Sequence, residues 1–351
     1  QPRITRITRI KNGDEARGVR RDFIPFFYPC YPCNPWLNAA FRRPSLSPLD
    51  ADAARLRGRR ARQFDGQHAV LQLRRDLVGG HGQTVMHEAP TLEQPGRTVQ
   101  LIDAASVAEG LGAPVAFDFR SADVAAGGQG APLAPVYHAA LVRKAGMEGP
   151  VAVLNLGGVG NITLIRADGE LEAFDTGPAN GMVDLLVQSR MKKRMDEGGR
   201  LAAAGTVDQA VLGAYLAHPY FAASGPKSLD RFDFSLDPVA DLSLEDAAAT
   251  LTAFAAQAVA LGVARCSEQP KEIVVCGGGR HNPALLAAIR ERVGVPVSAA
   301  EDKGWRGDSI EAEAFAFLAA RCRLGLPISF PGTTGVPTPM TGGRIVEPGA
   351  E

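Results

Sequence analysis

The chain has 351 residues, 45% hydrophobic and 22% charged, with 38 basic side chains balanced by 38 acidic ones. That length suggests two domains, each with its own core, and the composition is ordinary for a soluble globular protein. The charge balance gives no overall field toward nucleic acid or a membrane, no uninterrupted apolar run approaches the length of a membrane span, and five cysteines, an odd number, fit a reducing cytoplasm better than a disulfide framework.

Residues 1–67 do not read like the rest. Arg3-Ile4-Thr5-Arg6-Ile7-Thr8-Arg9-Ile10 is a low-complexity repeat. Pro25, Pro29, Pro32 and Pro35 exclude helix and central strand from the stretch around them. Cys30 and Cys33 form a C-x-x-C with no second pair at zinc spacing, so the pairing reads as fortuitous. Arg55, Arg57, Arg59, Arg60 and Arg62 make a basic cluster. It has no interleaved aromatic residues, and a solvated segment is a better reading than a nucleic-acid site. No clean apolar core follows the basic start, which argues against a signal peptide. The segment is expected to be disordered, or translated from a wrong frame or start.

From Leu77 the texture is regular. Leu77 to Val85 reads as a strand end and a polar turn, Val99 to Gly112 as a strand and a helix, and Val115 to Phe117 as a strand. The strand leads into Asp118-Phe119-Arg120-Ser121-Ala122-Asp123 and then Gly127-Gly128-Gln129-Gly130. Taken singly, His81 reads as a hydrogen-bonded structural histidine, and Arg120 with Asp123 as a surface ion pair.

Val151 to Leu154 is an apolar run of buried-strand length. Asn155-Leu156-Gly157-Gly158-Val159-Gly160-Asn161 follows, then a second strand at Ile162 to Ile165. Gly157, Gly158 and Gly160 suit positive φ and close approach to a ligand, and such a turn can aim several N–H groups at one anion. The plainer reading is a hairpin. Next comes Phe174-Asp175-Thr176-Gly177-Pro178-Ala179-Asn180, a carboxylate before a tight turn, with a helix from Met182 to Arg190. A carboxylate at a strand's C-terminal end stands where open α/β sheets build their sites, although an Asp before Thr-Gly-Pro can be a turn former only.

Ser243-Leu244-Glu245-Asp246 is a capping-box pattern, and Leu251, Phe254, Ala258 and Leu261 share one face of the helix it starts. Glu272 to Cys276 is a strand that runs into Gly277-Gly278-Gly279-Arg280-His281-Asn282-Pro283, with a helix after it. Strand, glycine triplet and helix N-terminus make a nucleotide site, and Asn282 caps the helix. The last long helix starts at Asp308 or Ser309 and runs to Cys322, with Glu311 in its first turn, where the dipole favours a carboxylate.

Asn155 to Asn161 together with Phe174 to Asn180 resembles the anhydro-N-acetylmuramic acid kinase family, part of the actin, sugar kinase and heat-shock ATPase superfamily. His81-Gly82-Gln83-Thr84, the Asp118 to Leu133 segment, Asp196-Glu197-Gly198-Gly199 with Ala202 to Gly205, Gly225 to Arg231, the glycine triplet, the Glu311 helix and the Phe330 to Gly343 return are similar to family segments, from about His81 to about Ile345. Leu229 and Asp230 depart from the pattern, and no Gly-Thr-Ser-x-Asp-Gly type loop, the superfamily's first phosphate-binding element, is found before His81.

The resemblance implies an α/β fold with two ribonuclease-H-like (actin-like ATPase) domains around a cleft. Residues 68–127 with a return at 330–351 would form the first domain, and 128–329 the nucleotide-binding second. It implies opening of the 1,6-anhydro ring by water and phosphorylation of O6, with ATP and Mg²⁺, in cytoplasmic recycling of cell-wall sugar. Asp175 is then the base. ATP would meet Asn155, Gly157, Gly158, Gly277, Gly278, Gly279 and Asn282. The sugar would meet His81, Gln83, Thr84, Arg120, Asp123 and Glu311. Gly127 to Gly130 would be an interdomain hinge, Lys227 could contact a phosphate or be solvated, and no residue is assigned to the metal. The implied partners are sugar and ATP, with room for a homodimer and no nucleic acid or membrane. Two rivals stand beside this reading: another small-molecule kinase of the superfamily, and a non-catalytic remnant that has lost the first phosphate loop.

Overall fold

The computed structural model describes residues 76–91, 93–222, 229 and 233–349. The expectations for residues 1–67, the lost phosphate loop and Lys227 therefore lie outside the described residues.

In chain order the N-terminal part supplies β1 (Val78–Gly79), β2 (Gln83–Glu88), β3 (Arg97–Leu101), α1 (Ala104–Leu111), β4 (Val115–Phe117), α2 (Ser121–Ala125) and α3 (Pro135–Lys144). The middle supplies β5 (Val151–Leu156), β6 (Val159–Ile165), β7 (Leu171–Pro178), α4 (Asn180–Met191), α5 (Arg200–Ala204), α6 (Gln209–Leu216) and α7 (Leu244–Arg265). The C-terminal part supplies β8 (Glu272–Cys276), α8 (Pro283–Val293), β9 (Val297–Ala299), α9 (Ile310–Arg323), α10 (Pro331–Thr334) and β10 (Arg344–Val346).

The principal sheet has the order β7-β6-β5-β8-β9. Its first three strands are an antiparallel meander, and β8 and β9 run parallel to β5. That mixed five-stranded order is the ribonuclease-H-like arrangement. A second sheet has the order β1-β4-β10, and β2 pairs with β3 in a ribbon. Gln83 and Thr84, expected in a polar turn, instead open strand β2.

Strand alternation sends side chains of the principal sheet to two different cores. Ala152, Leu154, Leu156, Ile162, Phe174, Ile273 and Val275 face α7 and α8. Val151, Val153, Val274 and Cys276 face the other way, into a core shared with Ala116 and Phe119 near the second sheet, Leu141 of α3 and Phe315 of α9. The face turned toward the second sheet therefore carries whatever chemistry the strand ends present.

Helix α7 is buried all round. Leu251, Phe254 and Ala258 are almost wholly buried, and each large apolar side chain so buried contributes about 1.5–3 kcal/mol. Ser243 caps it by accepting from the Asp246 N–H at 3.0 Å, but the Asp246 carboxylate accepts from the Thr206 N–H at 2.7 Å, so only half of the capping box forms. By length and composition alone this helix could cross a membrane, although polar residues interrupt it, and 78% of its most apolar stretch is buried within the fold. An apolar surface on every side is what a core helix needs.

Candidate active site

Four neighbouring strands bring one polar row together. Cys276 pairs in register with Asn155, Asn155 with Asn161, and Asn161 with Asp175. Residues in one register row point to the same face, with neighbouring strands about 4.8 Å apart. Cys276 belongs to the core on the second-sheet side, so Asn155, Asn161 and Asp175 face that side too.

A β-bulge is responsible. The β6–β7 pairing runs from Gly160 opposite Gly177 directly to Asn161 opposite Asp175, leaving Thr176 as the extra residue. Without it the same pairing would set Asp175 opposite Ile162 and turn the carboxylate into the apolar core, since a one-residue slip reverses every side chain. The bulge is held by Thr176 Oγ1, which donates to the Gly160 carbonyl at 3.1 Å. The Asp175 carboxylate accepts from the Leu229 N–H at 2.8 Å, and its backbone carbonyl accepts from the Tyr220 hydroxyl at 2.6 Å.

Beside the row, three backbone segments converge at the carboxyl ends of β5, β7 and β8. The Gly157-Gly158 turn is a hairpin, as its plainer reading had it. Its carbonyls accept from the N–H groups of Ala179, Asn180 and Gly181 at 3.0–3.2 Å, which locks it to the start of α4. The expected positive φ is not found: none of Gly157, Gly158 and Gly160 has it. Small size is required at Gly160 and at Gly181 opposite the turn, whereas a Cβ on Gly157 or Gly158 would meet nothing closer than 3.5 Å. A Cβ on Gly181 would lie 2.7 Å from the Gly158 carbonyl oxygen, and one on Gly160 would lie 2.7 Å from Thr176 Oγ1.

The third segment is the glycine triplet. Gly277 has φ 76° and ψ 173°, a region essentially reserved for glycine, and a side chain there would collide with Asn155 Oδ1 and the Leu156 carbonyl. Gly279 packs on Leu156 and Asn180, where an added Cβ would be 2.5 Å from Leu156 Cβ. Gly278 is exposed and has no neighbour within 4 Å of an added Cβ. Two glycines thus press the loop onto the hairpin, and the middle one presents bare backbone outward. Asn282 caps α8 as expected, accepting from the Leu285 N–H at 3.2 Å. It is buried and its amide reaches Asn180 Oδ1 at 3.4 Å, so its contribution is to hold the loop.

A second cluster lies around Arg120. His81 Nδ1 donates to the Gly82 carbonyl at 2.8 Å, and Arg120 donates from Nε and Nη2 to His81 Nε2 at 3.0 and 2.9 Å. That geometry requires a neutral imidazole, and burial with the adjacent guanidinium lowers the His81 pKa to about 4. Arg120 Nη1 also donates to the Gly130 carbonyl at 2.6 Å. Solvent reaches Glu311, but protein encloses it on most sides, and this desolvation pushes its carboxyl up to about 6 against the pull of Arg120. Glu311 also stands near enough to Cys276 to add to the burial that raises the thiol to about 12. Cys276 is the neighbour of Asn155 in the polar row, so Glu311 stands on the same side of the principal sheet as that row.

One expectation needs correction, and two of the expected sugar contacts lie apart from the Arg120 cluster. Asp123 is neither a surface ion pair nor aimed at a ligand. It is 2% exposed, and its carboxylate accepts from the Gly130 N–H and from Thr334 Oγ1, both at 2.6 Å. Burial of a carboxylate demands such partners, and here they tie the Gly127–Gly130 loop to α10. Gln83 is exposed, with its amide on the Thr84 carbonyl at 3.3 Å, and Thr84 Oγ1 accepts from Gln100 at 3.5 Å, so neither is drawn into the Arg120 cluster. Sequence reasoning missed Asn161 and Arg280. Asn161 stood in the quoted motif, but its place needs the strand register. Arg280 sits inside the glycine motif and holds the Gly277 carbonyl from Nη1 at 2.8 Å.

These features define a class: a ribonuclease-H-like α/β protein whose candidate site lies at the carboxyl ends of the sheet strands, between a glycine cradle and an in-register carboxylate. A family model described as Anhydro-N-acetylmuramic acid kinase matches residues 40–348. The chain is 64% identical over 286 residues to the anhydro-N-acetylmuramic acid kinase of Caulobacter vibrioides, spanning 82% of this chain and 77% of that one. It is 62% identical over 288 residues to that of Phenylobacterium zucineum, with 82% and 78% covered, and 54% identical over 271 residues to that of Rhizobium rhizogenes, with 77% and 73% covered. The chain belongs to the anhydro-N-acetylmuramic acid kinase family. The matched span begins at residue 40, so similarity reaches further toward the N-terminus than the motifs from His81 onward had carried it.

Proposed function

We propose that the chain is an ATP-dependent kinase that adds water across the 1,6-anhydro bond of anhydro-N-acetylmuramic acid and phosphorylates O6, giving N-acetylmuramic acid 6-phosphate. One observation carries this reading: the bulge at Thr176 turns Asp175 onto the same face as Asn155 and Asn161, beside the glycine cradle.

Water attacks C1 while the Asp175 carboxylate takes its proton, a contribution typically worth about 10²–10⁴ in rate. The C1–O6 bond breaks, O6 bonds to the γ-phosphorus, and ADP leaves with the electron pair of the cleaved phosphoanhydride. Asn155 and Asn161 stand between base and cradle and orient the reacting groups. Backbone at Gly278 and the hairpin at Gly157 and Gly158 meet the nucleotide, while Gly277, Gly279 and Asn282 hold that surface in place. Arg120, fixed by His81, and Glu311 orient the sugar, and Asp123 acts from within by shaping the loop at Gly130.

No group of three or more His, Cys, Asp or Glu side chains suited to a metal occurs among the described residues. This fits Mg²⁺ arriving on the nucleotide phosphates, as that ion commonly keeps several waters and phosphate oxygens. The ion would neutralise charge on the transferring phosphoryl group. Residues 68–127 with 330–351 would form one domain and 128–329 the other, with the Arg120 and Asp175 clusters meeting between them. The substrate pair suits cell-wall sugar recycling in the cytoplasm. The test is turnover of the anhydro sugar with ATP. A sugar 6-phosphate is expected, and ADP release independent of the sugar would refute the reading.

A further inference from the structure

Arg280 does more than follow the glycine triplet. Its side chain is 2% exposed, and every polar group on it has a partner. Nη1 donates to the Gly277 carbonyl at 2.8 Å. Nε donates to Glu301 at 2.9 Å, and Nη2 meets both Glu301 and Asp308 at 2.8 Å. The carboxylates stand half or more in solvent, at 50% and 77% side-chain exposure, so the buried cation is matched by anions that keep much of their hydration. Charge-assisted, forked contacts of this kind are among the stronger and more directional hydrogen bonds. The chain has made room for them: a Cβ on Gly307 would strike Arg280 and lie 2.6 Å from Glu301 Oε1.

The geometry places the two ends of this latch at two different parts of the site. One end is Gly277, the entry to the triplet. The other is Asp308, which lies just before α9 and three residues before Glu311. A single rigid guanidinium therefore ties the nucleotide loop to the helix start that carries the sugar-side carboxylate. We propose that Arg280 is a positioning residue that makes these two surfaces move as one body, so that nucleotide and sugar tighten each other's binding through the Arg280–Asp308 contact. This rests on the reading of the triplet as the nucleotide surface and of Glu311 as a sugar contact. Coupling between two ligands is reciprocal, so it can be read from either one.

The experiment is titration calorimetry with a non-hydrolysable ATP analogue, with and without saturating anhydro sugar, on the wild-type protein, Asp308→Asn and Arg280→Gln. Wild type should bind the analogue about fivefold or more tightly with sugar present, within the usual range of coupling. Asp308→Asn removes one solvent-exposed anion and leaves Glu301 on the buried cation, so the fold should survive. Its sugar-on to sugar-off ratio should fall toward one. Arg280→Gln should lose the ratio and also weaken the analogue about tenfold or more, and circular dichroism melts establish whether it folds; if it does not, Asp308→Asn carries the test. A purely structural latch would lower the melting temperature and leave the ratio intact. Retention of the wild-type ratio in Asp308→Asn overturns the proposal, as does a wild-type ratio of one. Failure of the wild type to bind the analogue at all would instead bring down the nucleotide reading on which the proposal stands.

Discussion

The glycine triplet separates packing from ligand contact, because its three members differ in what a methyl group would meet. At Gly278 an added Cβ finds nothing within 4 Å, and its φ is not positive. Gly278→Ala should leave stability within about 0.5 kcal/mol of wild type, as surface changes away from special features usually do. Gly279→Ala puts a methyl 2.5 Å from Leu156 Cβ and 2.8 Å from Asn180 Nδ2, and overpacking of that kind costs about 1–3 kcal/mol. Gly277→Ala adds backbone strain of about 1–3 kcal/mol at φ 76° to a clash with Asn155. The expected order of melting temperatures is therefore Gly278→Ala, then Gly279→Ala, then Gly277→Ala. ATP affinity should follow a different order. Gly278→Ala, the harmless one for folding, should weaken binding of an ATP analogue about tenfold, or about 1.4 kcal/mol, while sugar affinity stays close to wild type. Differential scanning calorimetry and isothermal titration measure the two quantities on the same preparations. A Gly278→Ala protein with wild-type nucleotide affinity would refute the reasoning, and equal loss of both ligands would mark a folding defect.

His81→Ala should raise the KM for the sugar about tenfold, because Arg120 loses the acceptor that aims it, while His81→Gln, which keeps an acceptor, should restore part of the loss; steady-state kinetics against sugar at fixed ATP decides. Acid stability should report on buried histidine. Burial lowers the His138 pKa to about 4 from 6.5, so between those values the unfolded chain binds a proton that the folded one does not, and stability falls as pH drops through that window. The full effect is on the order of 3 kcal/mol, and His138→Gln should show a shallower loss between pH 6.5 and 4 in denaturant titrations. Glu311 and Asp184, both raised to about 6 by desolvation, act with the opposite sign: each binds a proton in the folded state over the window down to its ordinary value, which favours the folded protein on the acid side, and comparing variant with wild type cancels their part.

Much of the site was legible because local chemistry announced it. Strand β8 read correctly end to end because a short apolar, β-branched run stops at three glycines, and Asn282 read as a cap because Asn before Pro at a helix start has few other uses. The hairpin glycines were found, but their reason was not. Among them only Gly160 must be small, for its approach to Thr176, and at the other contact it is Gly181 that must lack a Cβ to meet the Gly158 carbonyl, which pairing alone reveals. The row through Asn161 depends on the bulge at Thr176, and register is a property of two strands rather than of one. Asp123 misled because an aspartate after an arginine in a loop looks exposed, and its partners Gly130 and Thr334 lie 7 and 211 residues away. Arg280 was hidden for the same cause, with Glu301 21 residues on. Strands as short as β9 and β10 carry too few residues for an alternation to show.

In the proposed reaction Asp175, turned out of the core by the bulge, is the base that sets off transfer of phosphate to the opened sugar. The measurement that tests it is ³¹P NMR of reactions containing ATP and the anhydro sugar, run with wild type and with Asp175→Asn whose affinities for both ligands have been confirmed. Wild type is predicted to give ADP and a phosphomonoester on O6 of a reducing sugar, and Asp175→Asn to form that product at least about 10² more slowly. Product formation by Asp175→Asn at a near wild-type rate would contradict the account.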